Sequence, residues 1–208
     1  MDQRKASIAI IGAGDFIGAG IARRFAAEGY HVHGGRRGGE KLEPLAREIA
    51  AAGGRFTGHS LDARDEQSVT AFLDAAEASA PLEAVIFNVG ANVQFSLLET
   101  TERVFSKVWD MACKAGFLTG REALAQSMAR ELGPQGLHVA HLVIDAGVDT
   151  AWVRERIAQA KGADVVAALP PDTLMDPASI AETYLMLHRQ PRDAWTHELD
   201  LRPYGENW

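Results

Sequence analysis

ASIAIIGAGDFIGAGIA, from Ala6 to Ala22, is the stretch whose reading decides the fold. Its apolar run is rich enough for a signal peptide, but Asp15 interrupts it, glycines punctuate it, and Arg23 and Arg24 close it within a helical pattern. Ser7–Ile11 therefore reads as a buried strand, Gly12 to Gly18 as a turn, and Ile17–Glu28 as a helix. Glycine at 12, 14 and 18 permits a tight turn and close backbone approach, and the helix N-terminus beyond it offers N–H groups to an anion. Strand, glycine turn and helix in that order point to a dinucleotide pyrophosphate, with Gly12, Gly14, Asp15, Phe16, Ile17 and Gly18 as its cradle. The plain alternative is a glycine-rich turn with no ligand.

The pattern repeats outward from there. Strand patterns recur at His31–Gly34, Arg55–His59, Ala84–Asn88 and His138–Ile144, and helical patterns at Glu40–Ala52, Asp65–Ala78 and Glu102–Leu132. Such alternation builds right-handed βαβ crossovers, so the expected class is α/β, a doubly wound parallel sheet covered on both faces. Asp176 as N-cap with Pro177 at the first helical position starts a further helix through about Leu187. Trp195–Leu201 reads as a last, edge-like strand. With no internal repeat, low-complexity tract or polar linker, one domain over residues 1–208 is expected.

Composition narrows the function classes. The 208 residues are 47% hydrophobic and 24% charged, enough for a sizeable core. Against 28 acidic side chains stand 21 basic ones, a net charge of −7, which argues against a broad nucleic-acid or anionic-membrane surface. Cys113 is the only cysteine, so neither an intramolecular disulfide nor a cysteine zinc site forms, and a reducing cytoplasmic setting fits. The seven histidines show no close metal spacing; His31 and His33 lie on one strand pattern, and His138 and His141 on opposite faces of another.

The strand ends carry the polar chemistry. After the second strand, Gly34-Gly35-Arg36-Arg37 stands where an acidic residue would hold a ribose hydroxyl. A guanidinium there pairs with an adenosine 2′-phosphate that a carboxylate would repel, so NADP is favoured over NAD, with one of Arg36 and Arg37 expected to be a solvated turn residue. Asp62 and Ala63 follow the third strand, and Asn88-Val89-Gly90 the fourth. The carboxyl ends of parallel strands form the ligand crevice, where Asp62 can accept from an adenine amine and Gly90 admits close backbone approach. Alternatively, Asp62 is a helix cap and Asn88 a strand-end turn.

These motifs together resemble the short-chain dehydrogenase/reductase family, a Rossmann fold that moves hydride between NAD(P)H and carbonyl or alcohol substrates. The resemblance rests on Gly12, Gly14, Gly18, Arg36, Asp62 and Asn88-Val89-Gly90. It extends through Val108-Trp109-Asp110-Met111, Ala129-Arg130-Glu131-Leu132-Gly133-Pro134 and Val148-Asp149-Thr150, nearly the whole chain. It implies a small carbonyl or alcohol substrate, and a homo-oligomer built through the family's fourth and fifth helices.

The departures are concentrated. The family's catalytic Ser and Tyr-x-x-x-Lys are missing: four residues beyond Tyr30, Tyr184 and Tyr204 stand Gly34, His188 and Trp208. Phe16 replaces a glycine of the usual turn, Ala112 an active-site Asn, and Asp145-Ala146 the usual Pro-Gly. Phe117–Ala123 resembles the end of the family's fourth helix and Leu124–Leu132 the second half of its fifth, so about one βαβ unit, roughly 30 residues, is missing at Ala123–Leu124. Loss of a central strand leaves two ladders of backbone groups needing partners. The fourth strand is then expected to close against the sixth, or the chain to fold poorly. Trp152, Val153 and Ile157 form either a substrate lid or an ordinary packing face.

Two functions follow from the resemblance. One is an NADP-dependent oxidoreductase of this family, inactive in this polypeptide for want of its catalytic residues. The other is a non-catalytic dinucleotide-binding or interaction protein derived from it.

Overall fold

A computed structural model of the chain describes residues 4–90, 100–116, 130 and 132–204. The junction at Ala123–Leu124 and most of the opening and closing helix halves around it lie outside the described residues, as does Ala91. The chain divides into two compact units, Met1–Ala123 and Leu124–Trp208.

The first unit holds a four-stranded sheet in the order β3-β2-β1-β4, from β1 (Ser7–Ile11), β2 (His31–Arg36), β3 (Arg55–Ser60) and β4 (Leu82–Phe87). All neighbours are parallel: Ile8 is level with Val32 on one side and with Ala84 on the other. The helices are α1 (Ile17–Ala27), α2 (Glu43–Ala51), entered through a 3₁₀ turn at Gly39–Leu42, α3 (Glu66–Ser79) and α4 (Glu102–Trp109). Past Trp109 the long helical pattern widens into a π-turn, Asp110–Lys114, in place of a continuous α-helix.

β1 is central because every residue in it is apolar or small, and all five are buried. Ala9 and Ile11 pack against Val69, Phe72 and Ala76 of α3. Ile8 and Ile10, which alternate with them, are equally inaccessible, so both faces of the strand are covered. Each fully buried isoleucine contributes about 1.5–3 kcal/mol. Phe25 of α1 meets Tyr30 edge-on at 5.6 Å, closing the turn between α1 and β2.

The histidines of β2 and β3 form a packed cluster. His33 is 3% exposed; its Nδ1 lies 2.9 Å from His59 Nε2 and its Nε2 2.8 Å from Ser79 Oγ. The Ser79 hydroxyl donates to the Ala76 carbonyl oxygen, so it accepts from His33 Nε2–H, leaving His33 Nδ1 to accept from His59.

The second unit contains the parallel pair β5 (His141–Ile144) and β6 (Glu198–Leu201), with α5 (Ala151–Lys161), α6 (Ala163–Ala167) and α7 (Pro177–His188). α5 and α7 begin as their sequences dictate. Thr150 Oγ1 accepts from the Val153 amide at 3.1 Å, and Asp176 Oδ1 from the Ala178 amide at 2.8 Å. Trp152 is exposed, with Arg156 lying 4.7 Å over its ring.

Among the described residues β4 pairs with β1 in the first unit, and β5 with β6 in the second. One expectation needs correcting here: the final strands are shorter than their patterns. His138 is not in a strand: the ladder begins at His141, whose amide donates to the His197 carbonyl at 2.8 Å, while the His138 imidazole meets the Thr196 carbonyl at 2.7 Å and stacks on Trp195 at 4.9 Å.

Candidate dinucleotide-binding site

The carboxyl ends of β1 to β4 surround a crevice of about 680 Å³ within the first unit. That size suits a small-molecule or cofactor site. Gly12, Gly14, Arg36, Arg37, Asp62, Ala63, Asn88, Val89 and Gly90 line it, so residues from four strand ends converge there. Asp15, Phe16, Ile17 and Gly18 are outside the lining and shape the start of α1.

The turn after β1 needs its glycines for steric reasons. Gly12 has φ of +92°, and a Cβ there would stand 2.5 Å from the Asn88 carbonyl oxygen. At Gly18 a Cβ would meet the Gly12 carbonyl oxygen at 2.6 Å. The amides of Gly12 and Ala13 both donate to the Gly35 carbonyl, at 2.9 and 3.0 Å, which ties the turn to β2. From β4, the Asn88 amide donates to the Ile11 carbonyl at 2.8 Å and its side-chain Nδ2 to the Gly12 carbonyl at 3.0 Å. Asn88 thus fixes the turn rather than merely ending a strand.

α1 has no side-chain cap and no acidic residue in its first turn; Phe16 occupies the N-cap. The helices starting at Glu66 and Glu102, by contrast, are capped by Asp65 and Thr101. An uncapped N-terminus beside a glycine turn keeps its positive end available for phosphate.

Charge in the crevice is strongly one-sided. Arg36, Arg37, Lys41 and Arg64 line it together with the single carboxylate of Asp62, although the chain as a whole carries −7. Arg36 Nη1 pairs with Asp15 Oδ1 at 2.7 Å, while Arg37 is exposed. Asp62 is held by Arg64 through both oxygens, Nε to Oδ1 at 2.9 Å and Nη2 to Oδ2 at 2.6 Å, and the Arg64 amide adds a third bond at 3.1 Å. That pairing, helped by the nearby Arg37 charge, lowers the Asp62 pKa to about 2 against the cost of partial burial. Asp62 therefore stays an acceptor at neutral pH, with one lone pair of Oδ2 left for an amine. Lys41 and Arg64 join the lining without a motif to announce them; the available signal for Arg64 is its two-residue spacing from Asp62.

Cationic rim, uncapped helix, glycine turn and charged Asp62 fit an adenine dinucleotide. Tyr184, the one tyrosine on a helix, lies half-buried on α7, where burial raises its phenol pKa. Among the described residues no group of three or more His, Cys, Asp or Glu is placed to hold a metal ion.

Comparison with known proteins agrees with this geometry. The family model for short chain dehydrogenase matches residues 6–134. A short-chain dehydrogenase from Rhodopseudomonas palustris, solved by crystallography, is 46% identical, with 97% of this chain and 100% of that chain covered and a TM-score of 0.79. A variant of actinorhodin polyketide ketoreductase solved with NADPH shares the fold at a TM-score of 0.80 and 19% identity, over 96% of this chain and 97% of that one. A Streptomyces antibioticus protein named probable oxidoreductase is 31% identical over 138 residues, which take in 65% of this chain and 44% of that protein, so the match spans less than half of the relative's length. With the family match covering well over half of its residues, the chain belongs to the short-chain dehydrogenase family.

Proposed function

We propose that the crevice is an NADP site and that the protein is an oxidoreductase of the short-chain dehydrogenase type whose polypeptide, with this sequence, lacks the groups for normal turnover. The carrying observation is the convergence of Arg36, Arg37, Lys41 and Arg64 on a crevice that also holds the glycine turn and Asp62. Arg36 and Arg37 would meet a 2′-phosphate, the α1 N-terminus the pyrophosphate, Asp62 the adenine amine, and Asn88-Val89-Gly90 the ribose side. When bound, NADPH supplies the hydride for reduction of a small carbonyl.

What the chain's own residues do is bind and orient. No Tyr-x-x-x-Lys stands in the sequence, so a carbonyl oxygen must take its proton from water. General acid catalysis typically contributes about 100- to 10,000-fold, and its loss sets the expected deficit. Homo-oligomerisation and a reducing, cytoplasmic setting complete the reading; no helix among the described residues is long and apolar enough to cross a membrane.

NADPH binding by calorimetry, with intact mass on the same sample, tests the proposal. Micromolar or tighter binding at 22.4 kDa, with NADPH oxidation at background over a panel of aldehydes and ketones, supports it. Failure to bind NADPH rejects the site, and rapid turnover at that mass rejects the catalytic deficit.

A further inference from the structure

Arg36 does not present all of its donors to the crevice. It lines the cavity with a side chain 23% exposed, yet its Nη1 is already engaged by Asp15 Oδ1 at 2.7 Å. Asp15 itself is outside the lining and 69% exposed, so its carboxylate reaches to Arg36 from the solvent side of the glycine turn. Nothing else in the turn is acidic: Gly12, Ala13, Gly14, Phe16, Ile17 and Gly18 carry no charge. The one negative charge of the turn thus sits on the cation that the proposed NADP reading assigns to the 2′-phosphate.

We infer that Asp15 is a specificity-determining residue that competes with the 2′-phosphate for Arg36 and so restrains selectivity for NADP over NAD. The inference rests on the reading of the crevice as an NADP site. A phosphate monoester brings close to two negative charges at neutral pH and needs the same guanidinium donors as a carboxylate. Its arrival at Arg36 must break or share the Asp15 pair. A dinucleotide with a free 2′-hydroxyl brings no such charge and meets no such penalty. An exposed ion pair is weak in itself, so the effect on selectivity is graded rather than all-or-none.

The test is calorimetric titration of the full chain with NADPH and with NADH at low ionic strength, for the wild type, Asp15→Asn, Arg36→Gln and the double variant. Asp15→Asn is expected to tighten NADPH binding about three- to tenfold while changing NADH less than about twofold, a range set by the interaction of opposed charges a few ångströms apart in high dielectric. The gain should shrink in 0.5 M salt, where the screening length is about 4–5 Å, and vanish in the Arg36→Gln background. An unchanged NADPH-to-NADH ratio, or a gain that persists without Arg36, overturns the competition. A wild type that favours NADPH and loses that preference on Arg36→Gln, with no response to Asp15→Asn, leaves the NADP reading standing and rejects the inference alone. Binding of neither dinucleotide by the wild type rejects both.

Discussion

The side-chain nitrogen of Asn88 lies 3.0 Å from the carbonyl oxygen of Gly12, joining the carboxyl end of β4 to the turn that follows β1. The bond reaches across 76 positions of sequence and holds the two walls of the crevice at a fixed spacing. Removing the donor leaves the Gly12 carbonyl without that partner in a half-buried position. Asn88→Ala should cost about 1–2 kcal/mol in stability and weaken dinucleotide binding more than a surface substitution of similar cost. Urea unfolding and NADPH titration of the same variant check this; unchanged affinity would show that the turn holds its shape without Asn88.

The glycines of the turn should differ sharply in tolerance. Gly12 combines φ of +92° with an Asn88 carbonyl oxygen 2.5 Å from a would-be Cβ, so Gly12→Ala faces both backbone strain and a backbone clash. A loss of about 2–3 kcal/mol or more is expected, since strained backbone alone costs on the order of 1–3 kcal/mol. Gly14 has no neighbour within 4 Å of its Cβ position and no positive φ, so Gly14→Ala should change stability by less than about 1 kcal/mol. Comparable denaturation midpoints for the two would contradict the turn geometry.

Arg64 sets the charge state of Asp62. With Arg64→Ala the carboxyl loses its main charged partner, and its pKa should climb from about 2 towards the ordinary value of 3.8. The sign for stability follows: a lowered carboxyl pKa stabilises the fold above the unfolded value, and that contribution is lost as pH falls from about 4 through about 2. Both side chains are more than a third exposed, so the stability at stake is under about 1 kcal/mol. Carboxyl-carbon NMR titration of Asp62 in the two proteins reads the shift directly.

How much of this was legible before the fold was known depends on how local each feature is. The β1 run, the glycine turn and the Asp176-Pro177 helix start follow from neighbours in sequence, and the structure has all three. Arg36 and Asp62 were readable because strand ends in a parallel sheet always face one crevice. Lys41 and Arg64 were not, since each sits in a loop or short turn whose direction is set by packing. The Asp15–Arg36 pair spans 21 positions and joins two residues that separate motifs place side by side without fixing their contact. His138 lies outside the strand that alternation gives it, and its imidazole instead meets the Thr196 carbonyl 58 positions away, a tertiary contact that alternation does not register.

The His33 cluster gives the fold a built-in sensitivity to acid. Burial, with the neighbouring His31 and His59 charges, lowers the His33 pKa from 6.5 to about 4, and burial lowers that of His59 as well. The neutral arrangement is internally consistent: Ser79 accepts from His33 Nε2–H while His33 Nδ1 accepts from His59. Protonating His33 would turn Nδ1 into a donor and require His59 to change tautomer. Between pH 6.5 and about 4 the unfolded chain therefore binds a proton that the folded chain refuses, so stability falls as pH falls through that window and levels off below it. For His33 the loss should be about 1–3 kcal/mol, taking 1.4 kcal/mol per pKa unit as the upper slope. Imidazole NMR should find His33 neutral at pH 5.5, and urea midpoints should drop between pH 7 and pH 4.5. A His33 titrating near 6.5, with midpoints flat across that range, would mean that the cluster is open to water in solution.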